Sequence, residues 1–424
     1  MKPVRTALGH VLHRHVQDIV HDALADTRVV LVNGARQAGK STLTALVAAT
    51  RRESLTRSLD RPGVLAAAHD DPVSFVEHDG LLVIDEIQRA PELLLPIKYL
   101  VDTDPRPGRF LLTGSARLLG LRSLPDALPG RMETIELWPF SQGELEGVRD
   151  GFVDAIFQLG PGAAPDCQGT NRRDLAARIA RGGFPEAVAR TDPRRRSRFF
   201  AGYVRDLISR DVQELSEIER ADELRRLLQL VASRTGQLLV LESLASDLAV
   251  SSRTVRRYLE LCEEVFLIKR IPAWSSNLGR RAIATPKVAC VDSGIAAHLL
   301  GHTEQRLVEF GSPLGSLLEG FVLMELYRQA TWAQEEVDVY HYRTKDKVEV
   351  DAVLETADGR IAGIEVKASA TVSHADFRGL RLLEQHAGEA FAAGVVLYAG
   401  AESLSFGPRL KALPVPALWR LGAA

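Results

Sequence analysis

The sequence predicts an α/β protein in three parts: a parallel sheet carrying a phosphate-binding loop, a helical segment, and a second α/β unit. Three observations lead there. Residues 34–41 read Gly-Ala-Arg-Gln-Ala-Gly-Lys-Ser, which fits G-x-x-x-x-G-K-[ST]. In that pattern backbone N–H groups wrap phosphates, a lysine reaches the terminal ones, and a hydroxyl meets Mg²⁺. Residues 81–86, Leu-Leu-Val-Ile-Asp-Glu, form an apolar strand that ends on two acids. Farther on, apolar runs resume at 339–342 and 348–354 and, after Ala357-Asp358-Gly359, at 361–367, the pattern of a strand followed by a hairpin.

Composition bounds the function. A chain of 424 residues, 46% hydrophobic, holds two to four domains, and no apolar run reaches the length of a membrane span. The start, Met1-Lys2-Pro3-Val4-Arg5, leads into an amphipathic stretch rather than a signal core, so the expected location is cytoplasmic, with no membrane partner. Cys167, Cys262 and Cys290 are isolated and lack metal or redox spacing, which suits a reducing compartment. The net charge of −2 hides an asymmetry: residues 171–290 hold 23 Lys+Arg against 15 Asp+Glu, or +8, leaving −10 elsewhere. That basic middle is compatible with nucleic acid, although a run such as Arg194-Arg195-Arg196 equally suits a solvated helix face.

Taken in order, residues 8–25 place Leu8, Val11, Leu12, Val16, Ile19, Val20 and Leu24 on one helical face. A β-branched strand at 27–33 then feeds the loop, and Thr42 to Val47 reads as the helix after it. The nucleotide contacts fall on Gly34, Ala35, Arg36, Gln37, Ala38, Gly39, Lys40, Ser41 and Thr42. Asp85 is placed to join Ser41 in holding Mg²⁺, and Glu86 to polarise the attacking water. The strand 109–112 runs into Thr113-Gly114-Ser115, where Ser115 or Thr113 is positioned to sense a γ-phosphate. Arg131, after a turn and before the strand 133–137, suits either an arginine finger, in cis or in trans, or an ordinary surface role.

The Gly/Pro-rich stretch 159–173 marks a connection, after which helices are expected, including a long one over 199–212. From 223 to 271 three short helices and a strand resemble a winged helix-turn-helix, with Arg253, Thr254, Arg256 and Arg257 where a recognition helix faces DNA; a lid or oligomer contact fits the same pattern. In the last part, Gly315 to Leu326 is an amphipathic helix carrying Glu319. Glu365 and Lys367 share a strand face, and the hairpin brings Asp351 alongside. A helix glutamate, a strand aspartate, a hairpin and Glu-x-Lys follow the order of the PD-(D/E)xK nuclease core, in which carboxylates hold a metal and lysine aids the attack on a phosphodiester. Val350 stands where that pattern has proline before the aspartate. The same cluster also suits a structural ion pair.

The whole chain resembles a prokaryotic family of AAA-like P-loop ATPases followed by a DUF4143 domain. The resemblance is carried by Asn33 with 34–41, by 85–91 (Asp-Glu-Ile-Gln-Arg-Ala-Pro), and by Leu112-Thr113-Gly114-Ser115 and Gly130-Arg131. Gly182-Gly183-Phe184-Pro185-Glu186, Arg210-Asp211, 254–259, Pro286-Lys287-Val288, Asp292-Ser293-Gly294 and the Glu319, Asp351, Glu365 and Lys367 positions extend it. With the connection at 159–173, the chain divides into a P-loop NTPase parallel sheet over 1–165, a helical and winged-helix region over 166–295, and a restriction-endonuclease-like domain over 296–424, the last being nuclease-like as the resemblance implies. The resemblance implies ATP binding and hydrolysis; the residues read above add Mg²⁺ as a cofactor and Lys40, Glu86, Ser115 and Arg131 as the catalytic set. Two outputs remain open. In one, ATP drives DNA processing by an active nuclease domain; in the other, an ATP-gated regulator uses a silent domain as a binding platform, and self-association suits either.

Overall fold

Strand β1 (Val29–Gly34) is buried along its whole length, and its alternating side chains enter two different cores. Val30 and Val32 pack with the helices Val16–Asp26 and Lys40–Ala49, whereas Val29 and Leu31 pack with Ala68, Phe75, Leu94 and Ile97 from helices on the opposite face. A strand covered on both faces needs a continuous apolar run, which is what the sequence supplies. The computed structural model describes residues 6–114, 128–159, 169–212, 221–277, 279, 281, 284–309 and 311–422.

β1 belongs to a five-stranded, all-parallel sheet with β2 (Ser54–Ser58), β3 (Leu81–Asp85), β4 (Phe110–Gly114) and β5 (Met132–Leu137), in the order β2-β3-β4-β1-β5. Val29 pairs with Phe110 and Met132, and Leu82 with Phe110. Parallel register places the C-terminal ends of β1, β3 and β4 along one edge, so the loop, the acid pair and Thr113 meet there. The amphipathic stretch 8–25 departs from the expected helix: the helix starts only at Val16. Thr6, Ala7, Leu8, His10, Val11 and Leu12 line the cleft beside the loop, the Arg14 side chain donates to Ala38 O, and the His15 N–H donates to the Glu144 carboxylate rather than to a carbonyl one helical turn back.

In the middle part, the helix Ala221–Ser233 is followed by β6 (Gln237–Leu238), helices Leu241–Leu248 and Ser252–Glu264, β7 (Ile268–Ile271) and β8 (Lys287–Cys290). These strands form a small antiparallel sheet ordered β6-β8-β7. The expected long helix at 199–212 is present as Pro193–Asp206 continued by a π-helical turn, Leu207–Val212; it starts six residues earlier because Asp192 caps it through the Arg194 N–H at 2.8 Å.

The last part begins with the helix Leu314–Ala330, then β9 (Val337–Arg343), β10 (Glu349–Thr356) and β11 (Ile361–Lys367), an antiparallel meander. A second helix, Arg378–Ala387, leads to β12 (Phe391–Tyr398), which runs parallel to β11. β13 (Leu404–Ser405) and β14 (Leu410–Pro414) complete a six-stranded sheet. The first helix shares a core with Ala352, Leu354, Ile364 and Val366, while Leu380 and Leu383 of the second pack against Val350 and Val353. One hydrophobic cluster extends from Val16 through Leu259 to Trp419, drawing on all three parts. Arg328 links the parts through polar contacts: it donates to Pro139 O at 3.0 Å, Val291 O at 2.9 Å and Glu325 at 2.6 Å.

Candidate nucleotide-binding site

The loop after β1 is shaped by its glycines. A Cβ at Gly34 would lie 2.2 Å from Leu137 O, so only glycine allows β1 to leave the sheet this close to β5. Gly39, at φ +105°, turns the chain into the Lys40–Ala49 helix, leaving that helix's first N–H groups facing the cleft, a ready anion site. The Lys40 ammonium rests on Gly34 O at 2.9 Å and Ala35 O at 3.0 Å.

Next to it, Ser41 Oγ donates to Asp85 Oδ1 at 3.0 Å, and Thr113 Oγ1 donates to the same oxygen at 2.6 Å. Thr113 in turn accepts the Glu86 N–H at 2.9 Å. Glu86 occupies the left-handed region, φ 61° and ψ 47°, where a non-glycine residue is strained by about 1–3 kcal/mol. That conformation turns the chain sharply after β3 and sets Glu86 on the cleft wall, its carboxylate accepting from Gln88. Ser41, Asp85, Glu86 and Thr113, scattered over 72 positions of sequence, thus form one hydrogen-bonded chain.

The cleft encloses 440 Å³, within the ~300–1,000 Å³ usual for small-molecule sites. Besides the loop, it is lined by Leu8, Val11, Leu12, Phe140, Pro185, Arg190 and Phe199. Its apolar end suits a planar base, and Arg190, 5.1 Å over the Phe199 ring and paired with Glu186, adds positive charge. Sequence reading missed this wall. Leu8, Val11 and Leu12 had the spacing of a packing helix, and nothing local marks a segment that folds back over the loop.

Behind the loop, Arg14 donates to Ala38 O at 2.9 Å and to Glu144 at 3.0 Å, and the His15 N–H reaches Glu144 at 2.9 Å. Asp150, buried beside Glu325 and His15, has its carboxyl pushed up to about 8, by burial first and by Glu325 second. An acid raised from 3.8 holds its proton more tightly when folded, so it costs stability increasingly as pH rises from 3.8 to about 8. Asp150→Asn is therefore expected to raise the urea midpoint at pH 8 and above and to flatten its pH dependence between those values. A pH profile parallel to wild type would contradict this.

Some expected residues are not brought to the loop. Arg131 lies at the start of β5, at the other edge of the sheet, one six-residue strand or about 20 Å away. There it pairs with Asp102 at 2.5 and 3.1 Å, so the cis finger role is not made. Ser115 lies outside the described residues, and Thr113 is the hydroxyl the structure places beside Asp85. Gly182 and Gly183 are structural: a Cβ at Gly182 would meet Asp292 at 2.3 Å, and the Gly183 N–H donates to Asp292 at 2.7 Å. On the Ser252–Glu264 helix, Arg253, Arg256 and Arg257 are exposed, but Thr254 joins the Ser251 cap, at 3.1 Å through its N–H.

The second acid cluster does assemble. Ala352 pairs with Ile364, which sets Asp351 across from Glu365 on the neighbouring strand. Asp351 accepts the Val366 N–H at 2.9 Å, and Lys367 Nζ donates to Glu365 Oε1 at 2.7 Å. Burial and Asp351 push Glu365 up to about 7 and Glu319 to about 8, so Glu319 faces the same groups. A residue the sequence reading left without a role completes the cluster: Lys287 of β8, its ammonium 2.8 Å from Asp351 Oδ1. The signal available was a lysine opening the apolar run 287–291.

Residues 26–146 match an AAA domain, 172–306 the domain of unknown function DUF8612, and 314–418 the domain of unknown function DUF4143. Uncharacterised proteins of Mycobacterium tuberculosis and Mycobacterium bovis are 32% identical over 353 residues, 83% of this chain and 73% of theirs. The chain belongs to their family. This AAA-domain family member is also similar to an uncharacterised protein of Haemophilus influenzae, 24% identical over 65% of this chain and 63% of that protein. Among solved structures, it resembles a Walker-type ATPase of Pyrococcus abyssi at TM-score 0.42 and 16% identity, over 70% of this chain and 99% of that one. The Thermotoga maritima RuvB Holliday junction branch migration motor matches at TM-score 0.29 and 20% identity, over 62% and 90%. Among the described residues of this AAA-domain protein, no helix is long and apolar enough to cross a membrane.

Proposed function

We propose that the chain is a Mg²⁺-dependent ATPase that passes its nucleotide state to the middle and C-terminal parts. The carrying observation is the hydrogen-bonded chain Ser41–Asp85–Thr113–Glu86 beside the Lys40 loop. The Ser41 hydroxyl and Asp85 carboxylate, 3.0 Å apart, fit the donor set for Mg²⁺, which when bound neutralises charge on the terminal phosphates. Loop N–H groups and Lys40 hold the phosphates, and Glu86 accepts the proton of the attacking water. Thr113 keeps Glu86 and Asp85 in register, so that both point at the same end of the nucleotide.

Glu86→Gln is expected to keep ATP affinity within about threefold while slowing phosphate release by ~10²–10⁴, the usual worth of a general base. Phosphate release and nucleotide titration read both quantities. Release at the wild-type rate would remove Glu86 from the chemistry, and no release by wild type would remove hydrolysis.

Arg14 supports transmission, since it ties Ala38 of the loop to Glu144 and so to the cluster around Glu325 of the Leu314–Ala330 helix. In the middle part, the order helix, strand, helix, helix, strand, strand supports the winged-helix reading, and exposed Arg253, Arg256 and Arg257 suit DNA phosphates. The helix–three strands–helix–strand order of the last part supports a nuclease-like core with Glu319, Asp351, Glu365 and Lys367 together. Of the two outputs, the geometry favours a binding platform over active cleavage. Arg131, half-buried and paired with Asp102 at the sheet end away from its own loop, suits contact with a second copy's nucleotide.

A further inference from the structure

The nuclease-like reading implies a divalent cation between Asp351 and Glu365, and the residues present do not fit one. Asp351 has both oxygens engaged: Oδ1 accepts from Lys287 Nζ at 2.8 Å and Oδ2 from the Val366 N–H at 2.9 Å. Glu365 Oε1 accepts from Lys367, and its Oε2 is buried without a hydrogen-bond partner. Among the described residues, no group of three His, Cys, Asp or Glu side chains has the arrangement of a metal site. Lys287 comes from a different part of the chain and is 1% exposed. A buried ammonium at such a place survives only against carboxylates, and here Asp351 and Glu319 hold its pKa up against burial.

Its approach is fixed by the segment between β7 and β8. Ala273 and Trp274 dock on β9, the Trp274 backbone N–H donating to His341 O at 2.6 Å, and Arg281 grips Glu355 of β10. Ala273, Trp274 and Arg281, from the segment that would form a wing, are thus held on the C-terminal sheet, and β8 after them carries Lys287 into the acidic pocket.

We propose that the ammonium of Lys287 is the resident cation of this pocket, standing in the place of a divalent metal. The C-terminal domain is therefore built to work without a metal, and the pocket becomes a divalent-cation site only when Lys287 is removed. This deepens the platform reading.

The test uses the full-length, nucleotide-free chain titrated with Mn²⁺, read by thermal unfolding and by electron paramagnetic resonance of free Mn²⁺. Wild type should show no Mn²⁺-dependent rise in Tm that Asp351→Asn removes. Lys287→Ala and the milder Lys287→Gln should each gain one bound Mn²⁺ and a Tm that climbs with its concentration, and Lys287→Ala/Asp351→Asn should lose both. The Asp351→Asn arms separate this pocket from Ser41 and Asp85. The proposal is overturned if wild type takes up Mn²⁺ at Asp351, if the folded lysine variants take up none, or if neither variant folds even with Mn²⁺ present. Nicking of supercoiled plasmid by wild type with Mn²⁺ would sink the platform reading as well. Intact plasmid together with lysine variants that ignore Mn²⁺ would sink the Lys287 inference alone.

Discussion

Lys40→Ala is expected to reduce ATP hydrolysis, as kcat/KM, by at least ~10²–10³, the scale of losing one preorganised charge at a transferring phosphate, and to weaken nucleotide binding in parallel. Lys40 is 5% exposed, and its ammonium is held by two loop carbonyls at 2.9 and 3.0 Å. Those carbonyls keep it extended along the loop, so little ordering remains to be done when a phosphate arrives. Alanine removes the charge and leaves Gly34 O and Ala35 O facing phosphate oxygens, which repel them. The result is to be read with a fluorescent nucleotide titration and a phosphate-release assay, on protein whose circular dichroism matches wild type. Activity within threefold of wild type would place the nucleotide elsewhere.

Arg328→Met should destabilise the fold by about 3–5 kcal/mol, the usual result of leaving one partner of a buried ion pair alone. Arg328 is 3% exposed and Glu325 is fully buried, and no other residue joins Pro139, Val291 and Glu325 as Arg328 does among the described contacts. Glu325 also accepts the Gln142 N–H at 2.9 Å, so its carboxylate would stay trapped once the guanidinium is gone. Burial already raises the Glu325 pKa, with Arg328 as the chief opposing influence, so Arg328→Met should push it higher still. The expected observation is a lower urea midpoint at pH 7 with unchanged slope. Adding Glu325→Gln should recover part of the loss, because the double variant buries no charge. Equal midpoints for wild type and Arg328→Met would show that the guanidinium contributes nothing net.

The contrast between the two residues shows what the sequence made legible. Lys40 belongs to eight consecutive positions whose spacing is itself the chemistry, and Asp85 with Glu86 ends an apolar run, so both are readable locally. Asp351, Glu365 and Lys367 were likewise recoverable, because period-two strands and one tight turn fix which side chains meet, whereas Glu319, on a helix, entered only through the order of the nuclease core. Lys287, Arg14 and Arg328 were not. Each is a single basic residue in an apolar or irregular stretch, and its meaning comes from a partner 64, 130 or 189 positions away. Phe391 to Tyr398 went unread as a strand; it holds Gly394, a glycine whose Cβ would press on Leu410 at 2.7 Å. Local pattern reports what a segment does by itself, and these residues act only across the packed parts.

The hydrophobic cluster that runs from Val16 to Trp419 bears on how this protein can be handled. The boundaries suggested by sequence invite cutting the chain into three expression fragments. Each cut would expose one side of a shared interior, including Phe184, Leu259 and Phe321, to water. Fragments ending near 165 or starting near 296 should therefore aggregate or bind hydrophobic dyes, and limited proteolysis of the intact chain should leave nicked pieces that still co-migrate. Substitution within the intact chain, not truncation, is the practical route to isolating what each part contributes.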